Sequence, residues 1–505
     1  EYLRLSDCCI SHDEIITLAN QMFKKYPKLC DILNSKYDYI LVDEYQDTFP
    51  EVIEILLECL RGAGKRSIIG FFGDSMQSIY DDGIGDLDAY IQKGVVTEVQ
   101  KKQNRRNPQT VMTLSNKLRI DKLEQVPSED QNAPNMKAGK VIEGAIKFIY
   151  GSALSMKELK EKEYFNCWDF DNPKKTKELR LTHNLIAGEA GFPKLMEIYD
   201  KDPFLTFKKE FIKYIKLNEI SVDETKEFDE VVNSVEWKFS NRVRDINKKG
   251  RKQIEVFLED AENARWYKLV KEKPFSVVKR MNWDKDDLIS DKKEIDEERT
   301  TPSKRDKLMR HLFKIHKIIE LYEAKDYNEF IRKTSFKIRS ISDKTIIKQK
   351  IDTIVDMKTS TIAEVISYAH ESGLCLKDDN IEDFIKENEY LYARVSEVEY
   401  EEFINLYTYL EGYSPFSTQH KIKGEEFENV LVILDNGKWN SYNFEYLLDP
   451  LNSNCNPSVL TRTQKLFYVC CTRAMKNLVV YCGNPTLAMI RTAEEWFGKA
   501  NCQRI

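Results

Sequence analysis

No apolar run in this chain of 505 residues is long enough to span a bilayer, and no signal peptide is visible. A membrane protein is not expected. Cysteine is present but lacks the spacing of a metal site. The eleven cysteines stand singly or as the adjacent pairs Cys8-Cys9 and Cys470-Cys471, and no Cys-x-x-Cys pair occurs. A structural zinc is not expected, and the scatter suits a reducing cytosol, so the expected location is cytoplasmic. An excess of positive charge is also missing. The net charge is −6, so any nucleic-acid contact must come from local basic surface. No internal repeat of fixed period is evident. An initiator Met is absent at Glu1, and the expectation is a processed chain or a piece of a longer one.

The length suffices for roughly two to four domains with sizeable cores. Residues 12–24 have helical apolar spacing, and 37–42 read as a buried strand. Pro50 opens an amphipathic helix to about residue 60, and 67–72 form a second buried strand. Residues 108–118 look helical, with strand-like runs at 141–149 and 179–182. From about 200 to 410 the chain is charged and helical in pattern, and strand-like runs return at 430–434 and 478–481. The economical explanation is a helical domain inserted into the second of two α/β domains.

The first strand runs into Asp43-Glu44-Tyr45-Gln46-Asp47-Thr48. A buried strand ending in Asp-Glu sets two carboxylates at the tip of a sheet, where open α/β folds bind ligands. One carboxylate can hold Mg²⁺ and the other can polarise an attacking water, which is the chemistry of nucleotide hydrolysis. The same residues also read as a helix N-terminal cap after a strand. The second strand ends in Gly73-Asp74-Ser75-Met76-Gln77-Ser78-Ile79-Tyr80. A Gly-Asp turn brings backbone close to a ligand, and a Gln amide can bind a phosphate oxygen or orient a water. Gln103-Asn104-Arg105-Arg106-Asn107-Pro108 carries an Arg able to reach an anionic group between domains. Taken singly, these segments read as polar turns or solvated charge pairs. Near the C-terminus, Thr418-Gln419-His420-Lys421-Ile422-Lys423-Gly424-Glu425-Glu426-Phe427 suits phosphodiester contacts. Leu466 to Ala474 forms an apolar helical face with Arg473 at its end.

These segments, in this order, resemble the motifs of UvrD/Rep-type superfamily 1 helicases. Motif II matches at Asp43-Glu44-Tyr45-Gln46-Asp47, motif III at Gly73-Asp74 through Tyr80, and motif IV at Gln103-Asn104-x-Arg106. Motif V is similar from His420 to Phe427, and motif VI from Tyr468 to Ala474. The resemblance implies two RecA-like parallel-sheet domains, the first incomplete, with a large, mostly helical insertion in the second. The implied division is 1–125 (the C-terminal part of the first RecA-like domain, 1A, with a remnant of the family's 1B domain at its start), 126–200 and 411–505 (second, 2A), and 201–410 (a helical insertion like the family's mobile 2B domain). ATP and Mg²⁺ are the implied cofactors. By the same resemblance Asp43 coordinates Mg²⁺, Glu44 activates the water, Gln77 senses the γ-phosphate, and Arg106 and Arg473 contact it from opposite sides. Asp74, Arg105, Gly424 and Glu426 are the implied nucleotide contacts, Glu426 at the ribose. Thr418 and His420 would touch the phosphodiester backbone of single-stranded DNA, and Tyr80 would stack on a base.

Three features depart from the family's pattern. The phosphate-binding loop Gly-x-x-x-x-Gly-Lys-Thr/Ser is not found upstream of Asp43; the nearest string, Gly62-Ala63-Gly64-Lys65, lies downstream and is followed by Arg66. It reads as a helix-ending turn. Without that loop this polypeptide should turn ATP over hardly at all. The loop is expected upstream of this chain, and the alternative is a catalytically incomplete scaffold or regulatory subunit binding DNA or a nuclease. The second departure is Arg105, where the family usually has a Tyr stacked on adenine; a guanidinium plane could serve instead. The third is Asp81-Asp82 after Tyr80, where a base-stacking Trp is common; acidic residues there alter the strand's path or grip.

Residues 237–280 are rich in Lys and Arg, including Lys248, Lys249 and Arg251, with Trp237, Phe239, Trp266 and Tyr267 interleaved and Trp283 just beyond. The stretch reads either as a nucleic-acid track or as a solvated face over an aromatic core. No acidic cluster with a following Lys suggests a fused nuclease. The expected function is an ATP-dependent translocase or helicase on single-stranded or partly duplex DNA, with 3′-to-5′ polarity. The expected setting is DNA repair or anti-phage defence, where a UvrD-like protein pairs with a separate nuclease, the Gabija type being one case.

Overall fold

The computed structural model describes residues 10, 12–62, 66–80, 82–151, 155–240, 245–290, 305–437 and 439–505. Glu1, Cys8, Cys9, Ala63, Gly64, Lys65 and Asp81, singled out above, lie outside them, as do residues 241–244 of the basic stretch. The chain divides into an α/β unit, residues 1–185 with 414–505, and a second unit, 186–413.

Two short parallel strands, β1 (Tyr39–Val42) and β2 (Ile68–Phe71), form a sheet of their own. The larger sheet contains β3 (Ala145–Tyr150), β4 (Thr176–Arg180), β5 (Phe416–Thr418), β6 (Phe427–Ile433), β7 (Ala474–Cys482) and β8 (Cys502–Arg504), in the spatial order β8-β3-β7-β6-β4-β5. Every pairing in it is parallel. Parallel sheets are covered on both faces, so their strands run apolar without alternation. Val430-Leu431-Val432 and Leu478-Val479-Val480 meet that demand and are almost fully buried. The helix Pro457–Cys471 packs Leu466, Phe467, Val469 and Cys470 into the core beneath them. It begins where Asn456 caps the backbone N–H groups of Ser458 and Val459, with Pro457 at the first helical position. The protein is thus α/β with a six-stranded parallel sheet. The second unit lies in sequence between the neighbouring strands β4 and β5.

Three boundaries differ from the sequence reading. The helix opened by Pro50 is α-helical only to Glu54, then winds as a π-turn over Ile55–Cys59 and a 3₁₀ turn to Gly62. β3 starts at Ala145, because Lys140–Val141 belongs to a separate antiparallel pair. Gly144 then turns the chain at φ +71, so close to Pro108 that a Cβ there would lie 2.5 Å from its ring. β4 begins at Thr176, three residues before the apolar signal, because Lys177 and Glu178 are buried polar residues.

The second unit is almost wholly helical, with an aromatic core. Trp237, Trp266, Tyr267 and Trp283 are all buried in it. Most of the neighbouring cations are ion-paired: Lys248 with Asp245 at 3.7 Å, Arg251 with Glu259 at 2.5 Å, and Lys273 with Glu389 at 2.8 Å.

Two histidines make this unit pH-sensitive. Burial, with Lys314 nearby, pushes His311 down to about 4, and burial does the same to His316. Both are neutral in the fold, so their contribution is complete above about 6.5 and is lost as pH falls toward 4. Asp306, raised by burial to about 6, opposes them, since its contribution is lost as pH rises through 6. Two groups outweigh one. These residues should cost the unit about 2 kcal/mol between pH 7 and pH 5. Urea unfolding at the two pH values, with His311→Phe reducing the difference, checks this.

Candidate active site

β1 ends at Val42, and the next residues leave the sheet. Glu44 takes a left-handed backbone conformation, φ 49 and ψ 44, which is costly for a residue with a Cβ. Its N–H is held by Asp43 Oδ1 at 3.0 Å, and its carboxylate accepts from the buried amide of Gln46 at 2.5 Å. Gln46 Oε1 in turn accepts from the backbone N–H of Asp74 at 3.1 Å. The Gly73 position beside it has no room for a side chain: a Cβ there would strike Gln46 Oε1 and come within 2.8 Å of the Tyr45 ring. One amide thus ties the tip of β1 to the tip of β2.

Asp74 caps a 3₁₀ turn, Ser75–Gln77, and receives Gln77 Nε2 at 3.3 Å. Gln77 Oε1 faces Arg473 Nη2 at 3.4 Å. Arg473, 1% exposed, also donates to the backbone oxygens of Val469 and Glu425 and to Thr472. Burial, then the nearby Arg106 charge, lowers its pKa to about 10, with Glu44 acting in the opposite sense. It remains a cation at neutral pH. Arg106 Nε binds Glu426 Oε2 at 2.7 Å. The turn at Gly424, φ +84, lies between Glu426 and Lys423. Lys423 ion-pairs with Asp47 and lies 3.6 Å from Glu44 Oε2, its ammonium 5.7 Å from the Tyr80 ring centroid.

The structure therefore brings Glu44, Gln77, Arg106, Arg473 and Glu426 into one neighbourhood, with Asp43 beside Glu44. Arg105 points elsewhere, paired with Asp130 at 2.7 Å. Thr418 is buried on β5, His420 bonds the Tyr442 hydroxyl at 2.7 Å, and Tyr80 is exposed. Lys248, Lys249 and Arg251 belong to the second unit.

Mg²⁺ needs only one or two carboxylates when phosphate oxygens and waters complete its shell. Asp43 offers such a carboxylate, and Asp47 Oδ1 is buried without a hydrogen-bond partner, a polar demand that a metal-bound water would meet. Among the described residues no group of three or more His, Cys, Asp or Glu side chains placed to hold a metal ion occurs.

Two residues escaped the sequence reading. Lys423 stood inside a matched motif without a role. Arg119 follows the helix Gln109–Leu118 and looks like any surface charge, yet its side chain is buried. It forks onto Asp74 at 2.9 and 3.2 Å and donates to the Tyr468 hydroxyl at 2.7 Å. Burial alone would lower its pKa, but Asp121 and Asp74 outweigh burial and raise it. Arg119→Met leaves the half-buried Asp74 without its cation, at a cost of about 2 kcal/mol. Chemical denaturation checks the figure.

The α/β fold with its six-stranded parallel sheet is consistent with that of UvrD/Rep-type superfamily 1 helicases. Residues 5–92 match the family model described as UvrD/REP helicase N-terminal domain. Over 506 residues the chain is 26% identical to the Gabija protein GajB of Bacillus cereus (strain HuB5-5), an alignment covering 97% of this chain and 65% of that protein. The chain thus spans just under two thirds of that relative's length. Among the described residues no helix is long and apolar enough to cross a membrane.

Proposed function

We propose that the full-length product is an ATP-driven, 3′-to-5′ motor on single-stranded or partly duplex DNA. It would work in the cytoplasm beside a separate nuclease, and likeness to a Gabija protein favours anti-phage defence over repair. The observation that carries the reading is the meeting of Glu44, Gln77, Arg106 and Arg473. ATP bound there is the substrate, and Mg²⁺, held by Asp43, supplies charge neutralisation on its phosphates. Glu44 takes the proton of the attacking water, and Gln77 orients that water or a phosphate oxygen. Arg106 and Arg473 offset the charge that develops as the bond to the leaving phosphate breaks. Glu426 meets the ribose once Arg106 turns from it to phosphate. His420 opens the motif that also carries Lys423, and Thr418 ends the strand just before it, so a shift of the DNA strand would be felt at Glu44. Residues 1–125 serve as the first RecA-like domain, 126–200 and 411–505 as the second, and 201–410 as a 2B-like domain.

The phosphate-binding loop is assigned to polypeptide outside these 505 residues. Support comes from the small sheet, where Tyr39 (66%), Leu41 (67%) and Ile68 (62%) are exposed. Two-stranded parallel sheets with bare apolar faces are not self-sufficient. A cavity of about 1220 Å³ lies beside β2, walled by Gly70, Phe72, Asp74 and Arg119 but by neither Asp43 nor Glu44. It has room for further strand and loop.

The test is ATP hydrolysis by the full-length product with and without an oligonucleotide. DNA-stimulated turnover is expected. A full-length product that binds DNA or a nuclease yet hydrolyses no ATP would instead be a scaffold.

A further inference from the structure

Two residues that no matched motif contains, Arg119 and Gln125, join the parts of the site into one hydrogen-bonded net. Besides its fork onto Asp74 and its bond to the Tyr468 hydroxyl, Arg119 holds Asp121 through Nε at 2.9 Å and Nη2 at 2.5 Å. All three guanidinium nitrogens are engaged, and the side chain is 4% exposed. Gln125 Nε2 donates to the same Tyr468 hydroxyl at 3.0 Å, and its Oε1 accepts from Asn104 Nδ2 at 2.8 Å. Asn104 Oδ1 accepts from the backbone N–H of Arg106 at 3.0 Å. The net thus runs from the backbone of Arg106 to Asp74 and on to Gln77.

The chemistry of the partners dictates each proton's direction. A guanidinium and an amide NH₂ only donate, so the Tyr468 hydroxyl accepts from both Arg119 and Gln125. Its own proton is left for Asp74 Oδ2, 3.4 Å away. The Asp74 carboxylate only accepts, so the end of the Gln77 amide that faces it at 3.3 Å is Nε2. Arg473 only donates, so the end that faces it at 3.4 Å is Oε1. Two partners of opposite kind thus select the same one of the two amide orientations. Oε1 on the Arg473 side can accept from a water but cannot donate to a phosphate oxygen. Without the Arg119 fork, the Asp74 carboxylate keeps only the Met76 N–H and the Tyr468 hydroxyl, and it is free to turn from Gln77.

We propose that Arg119 is a positioning residue: acting through Asp74, it fixes which end of the Gln77 amide faces Arg473 and so presents the acceptor end to the attacking water. This rests on the reading of the protein as an ATP-driven motor, and it narrows the role of Gln77 from two to one. A clamp that served the fold alone would leave the choice of amide end without consequence for the reaction. Acting through Gln77 makes a different demand: the effect of losing the Arg119 fork must depend on whether Gln77 is there.

The test is single-turnover ATP hydrolysis by the full-length protein with an oligonucleotide, in the wild-type and Gln77→Ala backgrounds. Arg119→Lys keeps the charge and loses the fork. In the wild-type background it should slow hydrolysis about tenfold with nucleotide affinity unchanged. In the Gln77→Ala background the same substitution should cost less than about twofold, because the group it positions is already gone. Tyr468→Phe keeps the ring and removes only the hydroxyl. It should show a smaller loss with the same dependence on Gln77, and it decides the matter by the same criteria should Arg119→Lys fail to fold. Equal losses in both backgrounds, or no loss in the wild-type background, overturn the role of Arg119 while leaving the motor intact. So does a Gln77→Ala protein as fast as the wild type. A wild-type protein that hydrolyses no ATP overturns the motor reading itself, and this role with it.

Discussion

Glu44→Gln in the full-length protein is expected to cut DNA-stimulated ATP hydrolysis by about 10²–10⁴-fold, with nucleotide affinity almost unchanged. The substitution keeps the shape of the side chain. It also keeps a partner for Gln46, whose amide now bonds the carboxylate at 2.5 Å. What it removes is the capacity to accept a proton. The left-handed backbone at Glu44 is held by Asp43 and by the β1–β2 tie through Gln46, not by the charge, so the fold should be indifferent. Lys423 loses one of two carboxylates and retains Asp47. Single-turnover hydrolysis with a parallel nucleotide-binding titration separates the two effects. A Gln variant that turns over at the wild-type rate would remove Glu44 from the role of base.

Much of this site could be read from sequence because its parts are local. A four-residue apolar strand followed by Asp-Glu fixes where two carboxylates stand, whatever the rest of the chain does. The same holds for Gly73-Asp74 after β2 and for the buried runs that became β6 and β7. The long-range pairs could not be read that way. Arg106 meets Glu426 across 320 positions, and Lys423 meets Asp47 across 376. Neither has a periodicity to betray it. Arg119 sits in an irregular segment where a charge carries no pattern. Its role exists only because other elements fold over it. The basic stretch near Lys248 illustrates the reverse. Its composition permitted a nucleic-acid track, but sequence could not disclose that Trp237, Trp266 and Tyr267 turn inward and that acids such as Glu259 and Glu389 answer its cations.

Arg473→Lys is expected to lower kcat by about 10³-fold or more, with KM for ATP changed far less. Both side chains carry one positive charge, so the difference isolates geometry. The Arg473 guanidinium is spread over Val469 O, Glu425 O, Thr472 Oγ1 and Gln77 Oε1, four acceptors in different directions. A Lys ammonium has three donors at one point and cannot hold the backbone oxygens and Gln77 together. Burial would also depress a Lys further, since it starts from a lower pKa than Arg, whose own value has fallen only to about 10. The variant therefore loses both its contact to Gln77 and part of its charge. Because charge lost by deprotonation returns in acid, kcat of Arg473→Lys should rise as pH falls from 9 to 7, while the wild type stays flat through that window. A variant whose deficit is independent of pH would mean that geometry alone is at fault. A variant with wild-type kcat would detach Arg473 from the phosphate and leave it a structural cation of the helix end.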